Sequence, residues 1–289
     1  MSFPKLLHAL LDLKDDLLDF VYPQHCAICK KYLKREEKDV CEVCWNSLVT
    51  LSDPFCPYCK SFLEREAVKC SFCESSGKTR GENPALRSEP SGSKTKGEED
   101  HKILMVRSLG RFDDHYKELI HRFKYGKKIP LGKRLGQRLG ETINSDANLK
   151  TRFDKLTVLS KVEGQNSCFL KSDFLIPVPL HKSRYRERGF NQSDILAEGI
   201  SKVTGLSVLK NVLKRKKNTK DQTNLSREQR DENVRGAFVV TEPEMINGKK
   251  IILVDDVITT GSTLSECARM LKQSGVKKIL GMTIAVVTD

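Results

Sequence analysis

Between Lys250 and Leu264 the chain reads KIILVDDVITTGSTL, and this ordering of residue types leaves few folds open. Ile251 to Val254 is a short continuous apolar run, the pattern of a strand covered on both faces. Two acids, Asp255 and Asp256, follow directly. Adjacent carboxylates at a strand end have no core role and repel each other unless a cation or ligand is present. Thr259, Thr260, Gly261, Ser262 and Thr263 then make a hydroxyl-rich turn that opens a helical pattern. Gly261 lets the backbone pass close to a ligand. The unpaired N–H groups and the positive end of the helix favour a phosphate there. Ligands of open α/β sheets bind at the carboxyl ends of strands, where this acid pair stands. As acceptors, the carboxylates suit two vicinal sugar hydroxyls. An ordinary strand, turn and capped helix would account for the hydroxyls but not for the acids.

The run closely resembles the phosphoribosyl-pyrophosphate (PRPP) signature of type I phosphoribosyltransferases. The resemblance implies that Asp255 and Asp256 hold the ribose hydroxyls and act as the catalytic acids. It implies that Thr259, Thr260, Gly261, Ser262 and Thr263 hold the 5′-phosphate.

Eight of the cysteines fall into four CxxC pairs: Cys26/Cys29, Cys41/Cys44, Cys56/Cys59 and Cys70/Cys73. Each CxxC turn can aim two thiolates at one tetrahedral ion, so two pairs complete a zinc site. The simplest assignment is one site from Cys26, Cys29, Cys41 and Cys44 and one from Cys56, Cys59, Cys70 and Cys73; an interleaved pairing is equally allowed by the spacing. Disulfides are the competing reading. The leucine-rich N-terminal stretch carries Asp12, Asp15, Asp16 and Asp19, which the apolar core of a secretion signal would not. A cytoplasmic chain keeps its thiols reduced. All-cysteine sites leave no open coordination position, so the zinc is expected to be structural. Cys168 and Cys267 stand alone, the latter as an expected core residue.

The formal charge of +13 suits a polyanionic partner, and equally a pyrophosphorylated sugar. Lys and Arg concentrate between Arg107 and Arg138 and again between Lys210 and Lys220. For any single lysine the simpler reading is a solvated surface. No stretch is long enough for a membrane span.

The expected organisation is an amphipathic helix (1–21), a double zinc ribbon (22–76), a polar linker (77–101) and an α/β domain (102–289) with an inserted loop at 144–172. Apolar runs at 103–106, 174–179, 206–209, 237–240, 251–254 and 279–287 alternate with helical patterns at 114–125, 131–143, 191–204 and 263–274. That alternation predicts a parallel sheet flanked by helices. The segment 214–235 reads as a charged, Asn/Gln-rich loop, helical in part.

A second cluster lies in PVPLHKSRYRERGFNQ (177–192), where Lys182, Arg184, Arg186 and Arg188 follow a strand within a few residues. Arginines can grip a diphosphate bidentately; a charged surface loop is the alternative. These segments, with LIHRFKYGKK (119–128), the CxxC pairs and TNLSREQRDENVRGAF (223–238), resemble in order the ComF-type proteins, competence-associated phosphoribosyltransferase-like proteins of bacteria.

The resemblance implies a type I phosphoribosyltransferase fold behind an N-terminal zinc-ribbon module with all-cysteine sites. It makes Leu180, His181, Lys182, Arg184 and Arg188 a pyrophosphate loop, Lys214 to Arg235 a flexible closing loop, and Mg²⁺ a companion of PRPP. It also implies a single-stranded-DNA-handling role in DNA uptake or recombination. No Walker A motif is present, so any helicase or translocase would be a separate partner. The alternative is an active transferase that passes phosphoribose from PRPP to a nitrogenous base and releases pyrophosphate.

Overall fold

A computed structural model of the chain describes residues 24–34, 36–56, 60–63, 103, 105–145, 172–217 and 227–288. The expected helix 1–21, the linker 77–101, most of the insertion 144–172, and Cys59, Cys70 and Cys73 lie outside them.

The first described element is a short helix, α1 (Glu42–Ser47). The larger domain runs β1 (Met105–Arg111), α2 (Asp114–Lys124), α3 (Ile129–Ser145), β2 (Phe174–Pro177), α4 (Lys182–Arg188), α5 (Gln192–Thr204), β3 (Ser207–Val208) and β4 (Leu213–Arg215). It continues with α6 (Arg227–Val234), β5 (Phe238–Val240), α7 (Pro243–Ile246), β6 (Lys250–Val254), β7 (Val257–Ile258), α8 (Ser262–Gln273) and β8 (Lys278–Val286).

The strands β1-β8-β6-β2-β3 lie side by side in that order, every neighbouring pair parallel. β7 continues β6 beyond the acid pair and pairs with Ala285 and Val286 of β8. The expected parallel sheet is therefore what forms. All nine residues of β8 are buried, as its apolar run requires of a central strand.

Alternation along β6 divides the core. Ile252 and Val254 face the cluster built by α2, α3 and α5, through residues such as Phe123, Leu135 and Leu196. Ile251 and Leu253 face the cluster under α8, with Leu264, Cys267 and Leu271.

Three stretches differ from expectation. Lys182–Arg188, read as a loop, is a helix. The charged segment 214–235 begins in a strand, β4, which pairs antiparallel with β5, while its helical part is α6; residues 218–226 are outside the described set. The first strand starts later and runs further than 103–106, ending at Arg111.

Helices α3 and α5 cross in backbone contact. A Cβ at Gly199 would lie 2.5 Å from the Lys133 carbonyl oxygen and 2.8 Å from the Gly136 Cα. Neither atom can swing aside, so Gly199→Ala must part the helices, at an expected cost of about 1–3 kcal/mol. A lowered melting temperature is the expected readout; an unchanged one would mean the crossing is looser than this. The crossing matters to the site because α5 carries Gln192 and Ser193 at its first turn.

The cysteine module covers the free edge of β1. Phe55 and Val106 exchange backbone hydrogen bonds, each 2.9 Å, and the Leu51 N–H donates to the Leu109 carbonyl at 2.7 Å. Trp45 packs under two guanidinium groups, Arg134 at 4.0 Å and Arg138 at 5.3 Å from its ring centroid. The same arginines donate to the carbonyls of Val40 and Trp45. The module is fastened to α3, and the sheet edge it covers is closed to further strand pairing.

Candidate functional site

Two constellations carry chemistry. The first is the thiol cluster. The sulfurs of Cys26, Cys29, Cys41 and Cys44 all lie within 4.8 Å of one another. Those of Cys29 and Cys41 are 3.8 Å apart, which matches the ~3.8 Å edge of a tetrahedron with Zn–S bonds of ~2.3 Å. Among the described residues, these are the four thiols that the sequential pairing groups into one site.

Local hydrogen bonds shape the turn. The Lys30 N–H donates to the Cys26 carbonyl, the Cys26 N–H donates to the Lys31 carbonyl, and Lys30 adopts φ +62°. Cys41 caps α1, its sulfur accepting from the Cys44 N–H. Burial works against a thiolate at Cys26, but amide donors led by Cys41 outweigh it and hold the thiol at about 6. Burial and the neighbouring thiols push Cys44 up to about 12. Such a donor set fits Zn²⁺, which would displace the remaining protons.

The backbone hydrogen bonds at Cys56 repeat those at Cys26. The Lys60 N–H donates to the Cys56 carbonyl, the Cys56 N–H donates to the Ser61 carbonyl, and the bridge Phe55↔Phe62 repeats His25↔Tyr32. The repeat C-x-x-C-K-x-[YF]-L at 26–33 and 56–63 was available in the sequence and marks the two ribbon halves.

The second constellation is a cleft at the carboxyl ends of β2 and β6. The Asp255 N–H donates to the Met282 carbonyl and the Ile284 N–H to the Asp256 carbonyl, so β8 pins the backbone of both acids. Asp255 Oδ1 accepts from Ser193 Oγ at 3.2 Å and from the Asp256 N–H at 2.9 Å. Desolvation, then the charge of Asp256, pushes the Asp255 carboxyl up to about 7. Asp256 Oδ2 meets Lys124 Nζ at 2.6 Å, with both side chains mostly buried.

Val257 to Leu264, with Asp255, line a small adjoining pocket; it holds Thr259, Thr260, Gly261, Ser262 and Thr263 together. Gly261 stands before α8 with φ +83°, a conformation that favours glycine. The Thr260 and Ser262 hydroxyls are 2.6 Å apart.

Leu180, His181, Arg184 and Arg188 line the larger cleft. Arg184 and Arg188 are one helical turn apart on α4, which puts them on one face. Lys182 is exposed and not part of the lining. His181 is committed to its helix, capping α4 by accepting from the Ser183 N–H. Arg188 donates to Gln192 Oε1 at 3.1 Å and lies 5.4 Å from the Tyr125 ring centroid.

Sequence reasoning did not single out Lys124, Asn191, Gln192, Ser193 or Arg215 as cleft residues, though all line it. Lys124 and Arg215 sat in runs read as basic surface. Asn191 and Gln192 closed a quoted segment without a role; Asn191 ties the loop down by donating to the Val178 carbonyl and to Asp194.

The basic cluster 107–138 also proves largely engaged within the fold. Arg122 pairs with Glu118, Lys124 with Asp256 and Lys128 with Asp39, while Arg134 and Arg138 clamp Trp45. Among the described residues no helix is long and apolar enough to cross a membrane.

Comparison with known proteins finds relatives of both parts of the chain. The double zinc ribbon domain family matches residues 17–79, and the phosphoribosyl transferase domain family matches 187–289. The chain is 30% identical over 255 residues to Competence protein F of Haemophilus influenzae, covering 88% of this chain and 93% of that one. It is 28% identical over 272 residues to Competence protein ComFC of Bacillus subtilis, covering 93% and 91%. It is 25% identical over 259 residues to DNA utilization protein YhgH of Escherichia coli, covering 89% and 94%. Since the likeness runs through ribbon and sheet alike, the chain belongs to the ComF family of competence proteins.

Proposed function

We propose that this protein binds PRPP, or a related 5′-phosphoribosyl group, and serves DNA uptake or recombination as a handler of single-stranded DNA. The observation that carries the ligand reading is the rigid acid pair beside the Thr259–Thr263 turn. Two backbone-pinned carboxylates offer acceptors for vicinal hydroxyls, and the turn offers N–H groups and hydroxyls to a phosphate at the start of a twelve-residue helix. Arg184 and Arg188 line the same cleft as the acid pair, and charge-assisted hydrogen bonds from them would meet a diphosphate.

The DNA role draws on relatives named for competence and DNA utilization. It draws also on the ribbon surface, where Tyr32, 71% exposed, follows Lys30 and Lys31 and precedes Lys34. An exposed ring among lysines suits base stacking and phosphate contact without sequence preference.

A second reading, transfer of phosphoribose to a base with release of pyrophosphate, uses the same cleft and is favoured by its ring of cations, which would stabilise a leaving diphosphate. An assay for pyrophosphate release across a panel of nucleobases separates the two.

Calorimetric titration of PRPP into the zinc-loaded protein tests the ligand reading. The wild type is expected to bind. Asp255→Asn/Asp256→Asn is expected to lose PRPP and keep a salt-sensitive affinity for single-stranded DNA. A wild type that ignores PRPP would overturn the reading.

A further inference from the structure

The expectation of Mg²⁺ fits this cleft poorly. A magnesium ion demands near-octahedral oxygen ligands and is bound through one or two carboxylates plus substrate phosphates. The only carboxylates in the described lining are Asp255 and Asp256. Asp256 is closed by the Lys124 ammonium at 2.6 Å, and Asp255 already accepts from Ser193 and from the Asp256 N–H. The same lining brings Lys124, Arg184, Arg188 and Arg215 around one small space, so a divalent cation would enter against four positive side chains.

Lys124 is also well placed to serve more than one partner. It ends α2, where the helix carbonyls favour a cation, and its four-carbon stem lets the ammonium move without moving the backbone. A partly buried ion pair is not given up unless the new partners replace it. A ligand that brings hydroxyls to Asp256 and a diphosphate nearby supplies both replacements at once.

We propose, resting on the phosphoribosyl reading above, that Lys124 is a built-in counter-cation of the site. It neutralises Asp256 and turns to the diphosphate when the ribose hydroxyls take that carboxylate, so that the ligand is held without a divalent metal.

The test is calorimetric titration of PRPP into the full zinc-loaded chain, in buffer freed of divalent cations and again with added Mg²⁺. The wild type is expected to bind equally well in both. Lys124→Met is expected to bind about tenfold or more weakly without the metal, as loss of a charge-assisted contact implies, and to recover with Mg²⁺. Lys124→Arg, which keeps the charge and guards against a folding artefact, is expected to bind without the metal. A wild type that binds only with Mg²⁺, or Lys124→Met that binds like wild type without it, overturns the proposal while leaving the phosphoribosyl reading intact. A wild type that binds in neither buffer overturns both.

Discussion

Cys26→Ser is expected to release the zinc of the first ribbon and unfold the segment from about 24 to 48, while the parallel sheet keeps its fold. Docking to α3 and β1 fixes where the module sits, but it has little core of its own. Its buried apolar residues are few, chiefly Ala27, Val40, Trp45 and Leu48, and they lean on the cluster of α2 and α3 instead of enclosing a core of their own. Metal supplies on the order of 10 kcal/mol to sites of this kind, more than those contacts can replace. The chain's single tryptophan, Trp45, reports the event, because it sits under Arg134 and Arg138 when the ribbon is docked. Its fluorescence is expected to shift to the red as zinc leaves, with α/β circular dichroism largely kept. Loss of docking also weakens the cover on β1, and an uncovered edge strand invites association. Zinc loss with unchanged Trp45 emission would show that the ribbon is held by its contacts and not by metal.

Asp255→Asn is expected to make the protein more stable at neutral pH and unable to hold PRPP. The Asp255 carboxyl titrates near 7 in the fold, because desolvation and the charge of Asp256 oppose its ionisation, and near 4 in the unfolded chain. Between those values the folded form keeps a proton that the unfolded form has lost. Stability therefore falls as pH rises from about 4 to about 7 and stays reduced above it. Asparagine retains the oxygen that accepts from Ser193 and removes the charge. Its melting temperature should match that of wild type near pH 4 and exceed it above pH 7, with a gain on the order of a few kcal/mol. A variant no more stable than wild type at pH 8 would contradict the burial argument. In the proposed site the same carboxylate that opposes folding would accept from a ribose hydroxyl, which gives the chain a reason to keep it.

The parts of this molecule that were legible in its sequence are those written in apolar period or in a local signature. Ile251–Val254 and Ile279–Val286 read as buried strands because nothing polar but Thr283 interrupts them, and they are the middle of the sheet. The acid pair, the Thr259–Thr263 turn and each CxxC pair are local in sequence, so spacing alone brings each together; which pairs share a site was left open by the spacing. Helix α4 was hidden because none of its residues is buried; with no apolar face it has no period to find. Lys124 and Arg215 were hidden for a different reason. Each lies in a run of like charge, and only the packing of α2 and β4 beside the cleft separates them from neighbours such as Lys127 and Lys216, which stay exposed.

The most direct test of the central claim is a crystal structure of the zinc-loaded protein with PRPP. The predicted result places the 5′-phosphate against the Thr259–Thr263 turn, the ribose hydroxyls within hydrogen-bonding distance of Asp255 and Asp256, and the diphosphate toward Arg184 and Arg188. A ligand bound elsewhere, or one whose phosphate lies away from Gly261, would contradict it.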